Sequence, residues 1–328
     1  QEVVSYNRQD VFKMCLLVNR WNLFEHYSAL AKFVGCDIMD ALVTTRYLDT
    51  LFLRKYHGKL VLPTRNKTTY DDGEKYEGAH VRKPVVGVLD YVVSLDFSGM
   101  YPSIIIRYNL SPETLVSKDT PGAVKVGSSY WLKQPLGILP SILLELGRYK
   151  AKYKSKYKDA SLPQEERKWW FIKQYSVKQI VAAVYGNLAY SGNRLYTSQI
   201  SETTCYIGRQ YIRKLIDAAT RKGFKVAVAD TDSSYIYTDA EDATLEKAIR
   251  WGQELEAEVN RMLREEALAE GYQHAPEIEM EKVYRKFLST SVKKRYAGLV
   301  VWDGGKLVDD PYVDVKGFEM KKCDSALI

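Results

Sequence analysis

Apolar residues recur at helical spacing in the first part of the chain, for example at Val11, Met14, Cys15 and Val18. This periodicity predicts a helical lead-in over residues 10–55, interrupted near Gly35. Residues 64–83 are rich in threonine, aspartate, glycine and charge, which is typical of a loop or linker. The β-branched segment 85–97 then predicts two buried strands, and the second of them carries Asp96.

Two further helical patterns follow, over residues 141–159 and 163–190, and the Ser-Leu-Pro turn between them predicts a helical hairpin. Another helix is predicted over residues 201–222, where Gly223 would end it. The apolar segment 224–238 predicts a β-hairpin that turns at its acidic tip.

An amphipathic, mostly acidic helix is predicted over residues 240–271, followed by further strands. Its expected buried face consists of Leu245, Ile249, Leu255, Val259 and Met262. The elements follow the order strand, helical hairpin, helix, acidic β-hairpin, helix and strands. This order is typical of an α+β fold with helices on one side of a largely antiparallel sheet.

The composition is that of an ordinary globular protein. The 328 residues are 46% hydrophobic, which is enough to bury a substantial core in two or three structural units. No apolar run reaches the roughly 20 residues that cross a bilayer, and the first residues lack the order of a secretory signal. We therefore expect no membrane partner and an intracellular location, in the cytoplasm or nucleoid. The four cysteines form no CxxC pair and indicate neither a disulfide framework nor a zinc site.

The basic charge is concentrated in the predicted helical hairpin. Of the net charge of +7, a charge of +6 lies between Glu145 and Lys178, where ten residues are basic and four are acidic. A solvated helical surface would explain this run of charge, and attraction for a polyanion such as DNA would also explain it.

Three aspartates stand at the ends of apolar strands. Asp96 ends one predicted strand, and Asp230 and Asp232 lie at the tip of the predicted β-hairpin. Each alone is typical of a turn residue. Together they provide the carboxylates on rigid strands that two divalent ions need for phosphoryl transfer to a hydroxyl.

Five segments carry a resemblance to a known family. They are LDFSGMYPSIII at 95–106, VKQIVAAVYG at 177–186, ADTDS at 229–233, KKRYAG at 293–298 and VKGFEMKK at 315–322. In content and in order they resemble the polymerase motifs of family B DNA polymerases. The 82 residues from Asp96 to Lys178 accommodate a plain two-helix insertion, so the likeness is closer to archaeal or cellular members than to protein-primed ones.

The resemblance implies a DNA-templated DNA polymerase core that joins deoxynucleoside triphosphates to the 3′-hydroxyl of a primer. It implies a palm, in which an antiparallel sheet is backed by helices, and a two-helix fingers unit. The catalytic residues would be Asp96, Asp230 and Asp232. Two Mg²⁺ ions, which Mn²⁺ could replace, would be bound by Asp96, Asp232 and the backbone carbonyl of Phe97, with Asp230 in support.

The resemblance also implies the binding residues. The incoming nucleotide would meet Phe97, Ser98, Gly99, Met100, Tyr101, Arg148, Lys152, Lys178 and Tyr185. The Tyr101 ring would leave no room for a 2′-hydroxyl. Arg148 and Lys152 would bind the triphosphate together, since residues at i and i+4 share a helix face. Primer-template DNA would contact Thr231, Lys294, Tyr296 and Lys316.

The resemblance assigns domains along the chain. They are the end of an exonuclease-like region with the lead-in to the palm (1–92), the first part of the palm (93–140), the fingers (141–190), the second part of the palm (191–316) and the start of a thumb (317–328). Tyr6 and Asp10 resemble remnants of a proofreading motif. The other exonuclease and thumb segments are absent from this sequence and would be supplied elsewhere, for example by another chain.

Several positions depart from the family pattern. Ala182 and Ala183 replace an asparagine and a serine, and Val228 replaces a tyrosine before the hairpin acids. Lys321 and Lys322 stand where arginine is common, which removes bidentate geometry.

These departures motivate a second hypothesis, a polymerase-derived module that binds primer-template without catalysis, or one piece of a split polymerase. A third hypothesis is a reverse transcriptase or RNA polymerase, which would use the same two-metal mechanism. The Tyr-Pro-Ser-Ile-Ile and Asp-Thr-Asp-Ser segments fit those families poorly.

Overall fold

The computed structural model describes residues 2–64, 77–80 and 82–318. Most of the predicted linker and residues 319–328, with Lys321 and Lys322, lie outside the described part. The chain divides into two compact units. The helical unit comprises Gln1–Glu74, Ser111–Glu113 and Pro135–Ser201, and the sheet unit comprises Lys75–Leu110, Thr114–Gln134 and Glu202–Ile328. No helix among the described residues is long and apolar enough to cross a membrane.

The helices and strands follow in chain order. They are α1 (Glu2–Arg20), α2 (Leu23–Val34), α3 (Ile38–Ala41), α4 (Thr44–Tyr56), β1 (Gly87–Phe97), α5 (Met100–Arg107), β2 (Leu115–Val116), β3 (Ala123–Val126), β4 (Ser129–Leu132), α6 (Ile138–Lys158), α7 (Gln164–Leu188), α8 (Ser198–Arg221), β5 (Lys225–Asp230), β6 (Ser233–Tyr237), α9 (Leu245–Ala269), β7 (Ile278–Ser289), β8 (Tyr296–Asp303) and β9 (Lys306–Lys316).

The helical lead-in and the helical hairpin of the helical unit are confirmed. Gly35, with a φ of 78°, ends α2 where the interruption is predicted. The helices α6 and α7 pack through aromatic rings, and the ring centres of Tyr153 and Trp170 are 5.5 Å apart. His26 of α2 forms a 2.5 Å hydrogen bond with Gln179 of α7. The predicted apolar stripe of α1 does not form part of the core, because none of the residues of this helix is buried.

The sheet unit is built on an antiparallel sheet with strand order β5-β6-β1-β7-β8-β9, next to a small sheet of order β2-β4-β3. Two strands are predicted where the structure has only β1. Tyr91 has a φ of 47° within this segment, yet pairing with β7 continues from Gly87 opposite Ser289 to Phe97 opposite Ile278. The backbone at Tyr91 departs from strand geometry without ending the strand, so the prediction of two strands is wrong.

The two faces of the large sheet have different cores. Val92 belongs to an aromatic cluster with Tyr235, Tyr237, Tyr284, Phe287 and Tyr296. Val93 points to the opposite face, as neighbours in a strand must. There it meets α9 at Gly252, where an added Cβ would lie 3.0 Å from Val93 Cγ1.

The buried face of α9 agrees with the predicted one at Leu255 and Val259 and differs from it elsewhere. It consists of Ala248, Gly252, Leu255, Val259, Leu263 and Ala267. Leu245, Ile249 and Met262 are only partly buried. Small residues let the helix approach the sheet closely, so the buried stripe follows Ala248 and Gly252 rather than the bulkiest side chains.

The alternation along β7 generates a stability prediction. Phe287 is fully buried, whereas its neighbour Leu288 is 42% exposed. Phe287→Ala should therefore lower the free energy of unfolding of the sheet unit by about 3–5 kcal/mol. The matched control Leu288→Ala should change it by less than about 0.5 kcal/mol. Urea denaturation followed by tryptophan fluorescence measures both, and equal losses would contradict the assignment of the two faces.

Candidate active site

Asp96 lies on a central strand of the large sheet, one residue before the end of β1. Its Cα is opposite Ser233 of β6 on one side and Glu279 of β7 on the other. The next residue, Phe97, donates its backbone N–H to the backbone oxygen of Asp232 at 2.9 Å. A hydrogen bond therefore joins β1 directly to the hairpin turn that carries the second acid.

The turn between β5 and β6 is formed by Thr231 and Asp232, which confirms the predicted β-hairpin. Thr231 has a φ of 59°, in a left-handed region that β-branched residues seldom adopt. Two backbone hydrogen bonds hold the turn, from Thr231 N–H to the oxygen of His80 at 3.0 Å and from Asp232 N–H to the oxygen of Asp230 at 2.7 Å. The surrounding chain thus stabilises a turn conformation that threonine alone disfavours.

These elements bring seven of the predicted residues to one open pocket of about 360 Å³. Three of them are the predicted catalytic acids, and four are the predicted DNA contacts. The seven are Asp96, Asp230, Asp232, Thr231, Lys294, Tyr296 and Lys316. Residues that are far apart in sequence therefore form one site in the sheet unit.

Burial and neighbouring negative charges both raise the pKa values of two acids in the pocket. Burial, followed by the charges of Asp232, Glu281 and Glu279, raises the pKa of Asp96 to about 8. Burial also raises the pKa of Asp232. Burial and the neighbouring acids thus favour the protonated form of Asp96, and positive charge brought to the pocket would favour the ionised form.

Asp230 differs from the other two acids of the pocket. The Nζ atom of Lys294 lies 3.1 Å from Asp230 Oδ1, so this carboxylate has a neutralising partner. Among the described residues, neither Asp96 nor Asp232 has a basic group within 4.0 Å. Neither acid therefore forms a direct ion pair in the described part of the chain, although the charge of Lys316 partly offsets the rise in the pKa of Asp96, and that of Lys294 the rise in the pKa of Asp232.

Carboxyl oxygens without a counterion suit a hard divalent cation. The described residues contain no group of three or more acidic, histidine or cysteine side chains placed to hold a metal ion. Asp96 and Asp232 could thus supply two ligands, and the others would have to be backbone oxygens or oxygens of a bound phosphate. This donor set fits the predicted type of ion.

The segment predicted to bind nucleotide leads from β1 into α5. Phe97 and Met100 are buried, Tyr101 is half-buried, and Ser98 and Gly99 are exposed. Gly99 begins α5 with a φ of 65°, a conformation that glycine adopts without strain. The turn at Gly99 allows the chain to reverse from strand to helix within two residues.

Gly208 of α8 lies against this segment and is absent from the sequence-based predictions. A Cβ at Gly208 would be 3.3 Å from Tyr101 Cε1 and 3.0 Å from Met100 Cε. Such distances are tighter than ordinary carbon contacts. The missing side chain therefore lets the Tyr101 ring pack directly on the helix.

The remaining predicted nucleotide contacts belong to the helical unit. Arg148 and Lys152 of α6 and Lys178 of α7 are exposed, and Tyr185 is half-buried. The salt bridges described in this unit, such as Lys55–Glu145 and Arg194–Asp49, do not involve these three cations. Their charges are available to an anionic ligand.

Three further residues line the acidic pocket and are missing from the predictions: Ser233, Tyr235 and Glu281. Glu281 could have been found from the sequence Glu-Met-Glu at 279–281, because residues at i and i+2 of a strand share a face. Nothing in the local sequence distinguishes Tyr235 from the other strand tyrosines.

A larger pocket of about 700 Å³ lies among α2, α6 and α7 in the helical unit. It contains none of the predicted site residues. Its lining includes a cation–π contact, in which Lys173 Nζ lies 3.5 Å from the centre of the Trp169 ring. This pocket is aromatic and lacks the convergent acids of the site in the sheet unit.

Comparison with known proteins gives a consistent result. The model of DNA polymerase family B matches residues 41–328. A DNA polymerase from Archaeoglobus fulgidus is 30% identical over 325 residues, which are 99% of this chain and 38% of the relative. DNA polymerase 1 from Pyrococcus abyssi is 30% identical over 336 residues, which are 99% of this chain and 40% of the relative.

A solved structure is also similar, that of the family B DNA polymerase from the hyperthermophilic archaeon Pyrobaculum calidifontis. The TM-score is 0.66 at 26% identity, and the match covers 92% of this chain and 36% of that protein. The chain thus spans about two fifths of the length of the relatives that it matches.

The raised pKa of Asp96 generates a prediction about pH and metal. Because the folded-state pKa, about 8, exceeds the ordinary value, stability is lost as the pH rises from about 4 to 8. In EDTA at pH 8, Asp96→Asn should therefore be more stable than the parent by about 1–3 kcal/mol, less than the full shift because the side chain contacts solvent. The difference should shrink towards pH 4.

Thermal unfolding across this pH range measures the effect. Mg²⁺ should raise the melting temperature of the parent and leave that of Asp96→Asn nearly unchanged. Asp309→Asn, which alters an exposed carboxylate outside the pocket, is the control and should behave as the parent does. A pH-independent difference between parent and Asp96→Asn would contradict the prediction.

Proposed function

Because this chain belongs to DNA polymerase family B, we propose that it is the core of a DNA-templated DNA polymerase. It would add deoxynucleoside triphosphates to the 3′-hydroxyl of a primer. The observation that carries the proposal is that Asp96 and Asp232, which form no salt bridge among the described residues, line one pocket where β1 is hydrogen-bonded to the β5–β6 turn. This arrangement is suited to nucleotidyl transfer through two divalent ions.

Asp96 and Asp232 would hold the ions, together with the backbone oxygen of Phe97. Bound there, Mg²⁺ would neutralise the transferring phosphoryl group and lower the pKa of the attacking hydroxyl. Asp230 would support the hairpin through its ion pair with Lys294, whose positive charge offsets part of the repulsion between Asp230 and Asp232. The rigid sheet would fix the distance between the reacting groups.

The incoming nucleotide would lie on the segment from Phe97 to Tyr101. The Tyr101 ring, packed on Gly208, cannot retreat towards α8, which would exclude a ribose 2′-hydroxyl. Arg148, Lys152 and Lys178 would bind the triphosphate, with Tyr185 beneath the base. Their exposed cations are of the type that binds phosphate.

Primer-template DNA would contact Thr231, Lys294, Tyr296 and Lys316 around the acidic pocket. The proposed domains are the palm at 93–140 and 191–316 and the fingers at 141–190. Residues 1–92 would end an exonuclease-like region, and 317–328 would begin a thumb. Since the relatives are more than twice as long, further segments would complete the enzyme.

Primer extension tests the proposal. The chain should extend a labelled DNA primer on a DNA template with Mg²⁺ and deoxynucleotides, and not with ribonucleotides. Asp232→Asn should lower the rate by at least about a hundredfold, as expected when a residue that stabilises transition-state charge is lost, with little change in DNA affinity. Binding of primer-template without extension by the parent would support the non-catalytic module or the split polymerase instead.

A second prediction concerns the binding of the triphosphate by Lys152. Lys152→Ala should raise the KM for deoxynucleotides by about tenfold, the equivalent of one charge-assisted hydrogen bond, and leave primer-template affinity unchanged. Lys154→Ala removes an exposed lysine of the same helix that lies on another face and has no proposed contact. Steady-state kinetics compares them, and an equal effect of the two substitutions would show that only the general basic charge of α6 matters.

A further inference from the structure

Two buried tyrosine hydroxyls meet at the acidic pocket. Tyr235 donates a 3.1 Å hydrogen bond to the hydroxyl oxygen of Tyr296. The two residues are only 5% and 6% exposed. Their ring centres are 4.8 Å apart, and Tyr235 also stacks on Phe287 at 5.1 Å. The packing therefore leaves the Tyr235 side chain little freedom to turn away from Tyr296.

The direction of this hydrogen bond determines where the second proton goes. A phenolic hydroxyl has one proton to donate, and it prefers to lie near the plane of its ring. Because the Tyr296 oxygen accepts the Tyr235 proton, the Tyr296 proton remains free to be donated elsewhere. Tyr296 lines the pocket together with Asp230 and Asp232, so a ligand in the pocket can accept it.

A neutral donor is valuable in this pocket. The acids repel phosphate, and the ammonium group of Lys294 is already paired with Asp230 at 3.1 Å. The hydroxyl of Tyr296 can donate a hydrogen bond to DNA without adding charge. Its direction matters, because a hydrogen bond weakens steeply when donor and acceptor are misaligned.

We propose that Tyr235 is a positioning residue, which orients the Tyr296 hydroxyl so that it donates to a hydrogen-bond acceptor of the bound primer-template. The acceptor is a base-edge nitrogen or a phosphate oxygen near the primer end. This inference rests on the proposed function, because it requires that DNA enter the acidic pocket. It assigns a role to a residue that touches neither substrate nor metal.

Fluorescence anisotropy with labelled primer-template tests the proposal on the 328-residue chain. Tyr235→Phe keeps the ring and should weaken binding about fivefold, the usual effect of one neutral hydrogen bond. Tyr296→Phe should have a similar or larger effect. In the Tyr296→Phe background, Tyr235→Phe should add nothing further, because the hydroxyl that it positions is gone.

Tyr237→Phe is the matched control, since Tyr237 belongs to the same aromatic cluster but does not line the pocket. It should bind DNA as the parent does. Melting temperatures of all variants separate a loss of orientation from a loss of folding. Equal binding by Tyr235→Phe and parent, or an undiminished effect in the Tyr296→Phe background, would overturn the proposal.

Modified primers identify the acceptor. A terminal 3-deazaadenine removes the minor-groove nitrogen of adenine, and a methylphosphonate removes a charged phosphate oxygen. The acceptor is identified by the modification that abolishes the difference in DNA affinity between the parent and Tyr296→Phe. If that difference persists with both modified primers, the proposal is overturned. A parent chain that neither binds nor extends a primer would overturn the proposed function as well, which distinguishes the two failures.

Discussion

Two carboxyl groups, Asp96 near the end of β1 and Asp232 in the β5–β6 turn, share one pocket, and ionising both brings like charges together. The sheet unit is arranged around this constraint. Asp96 is held by β1, which is paired on both sides, and Asp232 by a hairpin turn joined to Phe97 through a backbone hydrogen bond. Backbone pairing resists the repulsion because moving either acid would break the ladder. The raised pKa of Asp96 follows from this arrangement.

The aromatic cluster beneath the pocket complements the acids. Tyr235, Tyr296 and Phe287 pack as a buried, uncharged layer on one face of the sheet. Only the first two also reach the pocket. Such a layer gives the hairpin a firm base and brings hydroxyl donors, rather than further charges, to the edge of the site. Packing and chemistry thus depend on the same side chains.

The helical unit holds a different part of the proposed chemistry. Its exposed cations Arg148, Lys152 and Lys178 stand on two long helices whose buried residues are mostly aliphatic. Because these cations take no part in the described core or salt bridges of the unit, they can be bound by an anion without cost to folding.

The sequence by itself determined the helices, the β-hairpin and the acids, because helical periodicity, turn residues and strand-end carboxylates are local patterns. It also placed seven residues that share one pocket, through a resemblance carried by short motifs. Only the tertiary structure decided that β1 continues through Tyr91, that Ala248 and Gly252 belong to the buried face of α9, and that Gly208 lies against Tyr101. It alone revealed the bond between Tyr235 and Tyr296. These features depend on which distant side chains meet, and no local pattern encodes that.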